Sequence, residues 1–380
     1  MLLIKNGYIK TMSGEDIESG YVLIGDDGLI AAVGSGECDV KCDEVIDAEG
    51  RIVSPGLVEA HCHCGYSGGT GSGFNECTDP ITPNMRAIDA LNPESDELEA
   101  AVKGGITTVC TGPGSTNIIA GTFAAIKTAG RKIEDMIVKY PLAMKCAFGE
   151  NPCNDYGVKM NRAPKTRMAV AAMFREYLYK CREYTKAKDA GTPLPYDPKL
   201  EEMVPVMHGE LPLKMHLHSA HDIYTVLRIV KEYGLRFTID HCTDGSLIAE
   251  DLAKEGCACF VGPSFGHKTK KEVSHKSFET AGDLYRAGVP ISIITDAHVT
   301  PIEYLPMFAG FCVANGLPME EGWRAVTINP ATQTGIGDKV GSLEVGKDGD
   351  VVIWNENPLR YIGAKAVYTV IRGKVVHKLG

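Results

Sequence analysis

Histidines recur in pairs in this sequence. Pro55-Gly-Leu-Val-Glu-Ala-His61-Cys-His63-Cys-Gly65 sets two of them at i and i+2. On a strand that spacing turns both rings to one face and turns Cys62 and Cys64 to the other. Leu213-Lys-Met-His216-Leu-His218-Ser-Ala-His221-Asp222 repeats the pattern. Ile239-Asp-His241 closes another apolar run on a histidine, and Ile291-Ser-Ile-Ile-Thr-Asp296-Ala-His298 closes one on an aspartate. Neutral imidazole is the commonest side-chain ligand of divalent transition metals, and carboxylates complete such sets. Taken singly, each motif reads equally well as hydrogen-bonded strand residues. Their shared place, at the carboxyl end of an apolar run, is what joins them. The alternating cysteines read as packing residues. Cys38 and Cys42 lack a matching second pair nearby and read as free thiols.

The elements that must position these groups alternate in type. Helical patterns over Glu97–Lys103, Asp222–Tyr233, Leu247–Lys254 and Thr280–Ala287 each lead into a short apolar run: Ile106–Cys110, Phe237–Asp240, Cys257–Val261 and Val289–Ile294. Near-continuous apolar strands separated by helices predict a parallel sheet covered on both faces. About eight such strands between Leu57 and Ile294 predict a (β/α)8 TIM barrel, with the weakest signals near Thr122–Ile126 and Leu142–Cys146. Barrel active sites form at the carboxyl ends of the strands, where the four motifs fall. Both chain ends instead alternate apolar and polar residues between glycine-rich turns. A small β-sandwich domain from residues 1–55 plus 338–380 is therefore expected, around a barrel domain at 56–337. No G-x-G-x-x-G opens a helix after the first strand, which disfavours a dinucleotide fold. Thr111-Gly-Pro-Gly-Ser-Thr-Asn117 lacks the Gly-Lys-Ser/Thr ending of a phosphate loop and reads as a rigid turn near the pocket. The glycine-rich stretch Gly65–Gly73 opens a long excursion to Pro93, expected to cover the site.

Composition narrows the partners. The 380 residues carry a net charge of −10 with no basic cluster, which argues against nucleic acid and anionic membranes. No apolar run reaches the roughly 18 residues of a membrane helix, and the apolar start is too brief for a signal peptide. The 13 cysteines are an odd number, and their abundance points to a reducing, cytoplasmic compartment.

With these motifs in place, the sequence resembles the amidohydrolase superfamily, metal-dependent hydrolases built on a (β/α)8 barrel. The resemblance covers nearly the whole chain, including Gly341-Ser-Leu-Glu-Val-Gly-Lys-Asp-Gly-Asp350 in the flanking domain. The imidazolonepropionase-like branch is the most similar. Asn75-Glu-Cys-Thr-Asp-Pro80, Thr111–Asn117 and Gly149-Glu-Asn-Pro152 resemble one bacterial group within it.

The resemblance implies that His61, His63 and Asp296 bind the more buried metal. It implies that His216 and His241 bind a second metal or complete a single site, with His218 nearer the mouth and facing substrate. Lys145 holds the position of a carboxylated lysine that bridges two metals in binuclear relatives, and Glu150 is a rival bridge; both stay open. The implied cofactor is one or two divalent ions, zinc first, manganese or iron next. Asp296 would take a proton from the attacking water and return it to the leaving nitrogen of an amide-type bond. His221, Arg167, His267 and His298 are candidate substrate contacts. Ser219 stands where deaminating relatives carry a glutamate, which ranks a nitrogen-heterocycle deaminase second and a non-catalytic barrel third. The expected partner is a small-molecule substrate, in a homo-oligomer.

Overall fold

The computed structural model describes residues 1–66 and 73–380, so the middle of the glycine-rich stretch lies outside the described residues. Eight strands pair in chain order into one sheet. They are β1 (Leu57–Cys62), β2 (Ile106–Thr111), β3 (Ile119–Lys127), β4 (Ile137–Ala147), β5 (Leu213–Leu217), β6 (Phe237–His241), β7 (Cys259–Val261) and β8 (Ile291–Ile293). β1, β2, β3 and β5 are buried at every residue, as a sheet covered on both faces requires. Covering helices include α1 (Asp96–Lys103), α2 (Arg167–Asp189), α3 (Ala220–Tyr233), α4 (Ala249–Glu255), α5 (Thr280–Arg286) and α6 (Leu305–Ala314). α1 sets Asp96, Glu97 and Glu99 in its first turn and Lys103 in its last, matching the helix dipole at both ends. α3 stops at Gly234, whose φ is +66°, a left-handed turn that glycine adopts without strain.

One strand departs from the expected all-parallel order. β3 runs antiparallel to both neighbours, pairing its Ala124 with Thr111 of β2 and its Ile119 with Cys146 of β4. The reason is length. Residues 112–118, between β2 and β3, are too few for the dozen or more that a parallel crossover needs. The reversal lays Gly112-Pro-Gly-Ser-Thr-Asn-Ile118 across the same barrel mouth as the histidines. It also sends Lys127 to the opposite end, where the ammonium is buried between Asp350 (2.6 Å) and Asp348 (2.8 Å).

The barrel's two edge strands meet through side-chain and loop bonds. Glu59 on β1 accepts the Thr295 amide (2.9 Å) and hydroxyl (2.7 Å) just beyond β8. The His63 amide donates to Ala297 O at 2.6 Å. Burial raises the Glu59 carboxyl to about 7 against those donors.

The second sheet draws Leu2–Ile9, Ile17–Ile24, Ile30–Ser35, Glu44–Asp47 and Ile52–Pro55 from one end of the chain. From the other end it takes Val351–Trp354, Ala366–Ile371 and Lys374–Lys378. It is one branched sheet. Leu2–Ile9 pairs with Ile17–Ile24 along one edge and with Glu44–Asp47 and Ile52–Pro55 along the other. Ile4, Ile24, Val53, Ile353 and Val370 belong to its separate apolar core. Among the described residues no helix is long and apolar enough to cross a membrane.

Candidate metal centre

The four motifs converge at the barrel mouth. Two sets of three donor atoms form there, each within 4.8 Å of one another: His61 with His63 and Asp296, and His216 with His218 and His241. The alternation predicted on β1 holds, since Cys62 and Cys64 turn into the apolar core while the histidines face inward. Two donors sit in left-handed backbone, His241 at φ +74° and Asp296 at φ +51°. That conformation is unfavourable for non-glycine residues and concentrates at functional sites.

Hydrogen bonds orient the rings. His63 Nδ1–H donates to Gly112 O and His241 Nδ1–H to Gly262 O, each at 2.8 Å. A carbonyl can only accept, so both rings present a bare Nε2 to the centre. His61 turns Nδ1 to Asp240 Oδ2 at 2.9 Å, a close charge contact outside hydrogen-bond geometry. His218 Nδ1 meets Thr243 Oγ1 at 2.8 Å, and His216 Nδ1 meets Ser115 Oγ at 2.9 Å. The remaining His216 nitrogen lies 3.2 Å from Asn151 Nδ2.

These contacts leave electron pairs facing one another. Asp296 Oδ1 lies 3.4 Å from His61 Nε2 and 3.3 Å from His63 Nε2. His241 Nε2 is buried without any hydrogen-bond partner. Burial depresses His61, His216 and His218, and brings His241 down to about 3, so these imidazoles are neutral at pH 7. Asp296 is held well below the usual carboxylate range against its burial, chiefly by His241 and by the neighbouring His61 and His63, and is ionised. Neutral imidazoles and one carboxylate with inward lone pairs are the donor set a divalent cation needs. The residues present therefore fit a metal.

Beneath the first set lies a buried charge cluster. Asp240 accepts from Lys214 Nζ at 2.8 Å and stands 3.6 Å from Lys145 Nζ. Lys145 Nζ is also 3.3 Å from His61 Nε2. Burial brings Lys145 down to about 8, partly offset by Asp240. Lys145 thus reaches the first donor set.

Other candidates stand elsewhere. Glu150 does not reach either donor set; its Oε1 accepts the Glu272 amide (3.3 Å) and its own amide donates to Glu272 (2.7 Å). Arg167 is occupied by Asp222 (3.1 Å) and Glu272 (3.3 Å), a fixed ion pair rather than a free fork for substrate. His221 is 65% exposed and lies beside Asp222. His267 lines a neighbouring cavity. His298 does line the cavity over the donors and packs on Phe74, ring centroids 4.8 Å apart. His218 lines the same cavity, its ring 4.6 Å from His216 and 4.8 Å from His241.

Sequence reading missed Asp240, Lys214, Glu59, Ser115 and Asn151. Asp240 and Lys214 were legible as charged residues inside apolar strand runs, a pattern that demands buried partners.

A sequence model described as the Amidohydrolase family matches residues 52–377. A solved amidohydrolase from Thermotoga maritima MSB8 superposes with a TM-score of 0.95 at 34% identity, covering 100% of both chains. The amidohydrolase tasK of Hapsidospora irregularis is 27% identical over 88% of this chain, which spans 37% of that protein's length. An imidazolonepropionase of Bacillus velezensis is 25% identical, over 92% of this chain and 88% of that one. The histidine and aspartate geometry, the barrel and these likenesses agree: the chain belongs to the amidohydrolase family, whose members are hydrolases acting on carbon–nitrogen bonds.

Proposed function

We propose that the protein hydrolyses an amide, cyclic amide or peptide-like bond of a small molecule with divalent cations, zinc first among them, held at the two donor sets. The observation that carries this reading is the inward, unpartnered Nε2 of buried His241 beside an ionised Asp296 whose neighbours are also bare nitrogens. A divalent cation bound there supplies Lewis acidity, lowering the pKa of a water and polarising a carbonyl.

The chain's own groups do the rest. Asp296 accepts the proton of the attacking water and delivers it to the leaving nitrogen. His61 and His63 join Asp296 in one donor set; His216, His218 and His241 form the other. Asp240 orients His61 and balances Lys214. Lys145, which burial brings down to about 8 and which stands 3.3 Å from His61 Nε2, is the group we assign to carboxylation.

The test is purification without chelator, metal analysis, and a screen of N-acyl amino acids, dipeptides and cyclic amides. The expected outcome is bound metal and hydrolysis that Asp296→Asn lowers by about 10²–10⁴-fold while metal stays bound. Metal-replete protein that cleaves none of these but releases ammonia from cytosine or guanine compounds would transfer the assignment to the deaminase reading.

A further inference from the structure

A cavity of about 400 Å³ opens over the donor sets, and its lining brings His216 and Asp296 together with Lys159, Lys270 and Lys276. The three lysines are not equivalent. Lys159 is neutralised by Asp155 at 2.6 Å. Lys270 donates to Asn151 Oδ1 and stands 3.7 Å from Glu272, which Arg167 and the Glu150 amide already engage. Lys276 is half-buried, and its hydrogen bond goes to one backbone carbonyl, Phe265 O, at 3.4 Å.

Among the described residues no carboxylate lies within ion-pair distance of Lys276. Residues 67–72, Ser-Gly-Gly-Thr-Gly-Ser, bring no acidic side chain. The four buried lysines behave differently. Lys10, Lys127, Lys145 and Lys214 each have a carboxylate within 4.0 Å. An ammonium that has lost water without gaining a charge partner is an unfavourable arrangement. Burial accordingly lowers the Lys276 pKa, with Asp296 offsetting part of the effect.

We propose that Lys276, with Lys270 beside it, binds a carboxylate of the substrate, so that the bond cleaved belongs to an acidic amide such as an N-acyl amino acid. A singly charged group matches one uncompensated ammonium, whereas a dianionic phosphate would bring surplus negative charge towards Asp155 and Asp296. The fate of the ligand rests on the amide-hydrolase reading; its binding does not.

The experiment uses the holoenzyme and matched pairs, N-acetylated amino acids and the same compounds with the carboxyl capped as a primary amide. The free acids are expected to exceed the capped compounds in kcat/KM by about tenfold or more, and Lys276→Met to remove most of that ratio through KM. A second readout needs neither variant nor turnover. Lys276 labelling by an amine reagent, read by peptide mass spectrometry, is expected to be suppressed by N-acetylglycine and not by N-acetylglycinamide. Charge-selective protection without hydrolysis upholds the anion site and removes N-acyl amino acids as the amides cleaved. Equal turnover of free and capped compounds, with equal labelling, overturns the anion site and leaves the hydrolase reading in place.

Discussion

The two donor sets differ in what stands behind them. His61, His63 and Asp296 carry a carboxylate of their own and rest on a buried cluster of charges, Asp240 with Lys214 and Lys145. His216, His218 and His241 are three neutral rings oriented by neutral groups: the Ser115 and Thr243 hydroxyls and the Gly262 carbonyl. The first set brings one negative charge of its own towards a dication. The second brings none. Charge balance, more than ligand count, therefore ranks the two sets.

Six variants would break or sharpen that ranking. Asp296→Asn is expected to lower kcat by about 10²–10⁴-fold with the fold intact, since it removes the proton acceptor from the charged set; kinetics beside circular dichroism checks this. Asp240→Asn leaves Lys214 and Lys145 buried without their counter-ion and is expected to cost about 3–5 kcal/mol in urea unfolding. Adding Lys214→Met to it should recover part of that loss, because the double variant buries less unpaired charge. His61→Gln is expected to strip metal from the protein, whereas His218→Gln should retain at least the ion of the first set. Metal per chain by mass spectrometry reads the difference, and equal losses would mean the sets are not ranked by charge. The smallest effect is Thr243→Val, which frees the His218 ring and should weaken metal affinity of the second set by about tenfold, seen by competition with a metal indicator.

Much of the fold was legible because period and burial agree locally. The helical patterns at Glu97–Lys103 and Asp222–Tyr233 lie inside observed helices, and the apolar runs after them are barrel strands. The i, i+2 histidines on β1 were legible for the same reason. The direction of β3 was less so, since a strand's own residues do not record which way its neighbours run. The short connection over residues 112–118 was the signal available. Arg167 and Glu150 were misplaced because a charged residue near a mouth motif looks the same whether it faces substrate or a distant partner. Their partners, Asp222 and Glu272, lie on other segments.

By itself the sequence determined the ligand types, their strand-end positions and the alternation that turns them inward, since these follow from the pleat and from hydrophobic pattern. Tertiary structure alone decided which donors share a set, which ring nitrogen each histidine presents, and which lysines are neutralised. Those outcomes depend on carbonyls, hydroxyls and carboxylates far away in the chain, brought within about 3 Å, where hydrogen bonds and charge pairing take effect.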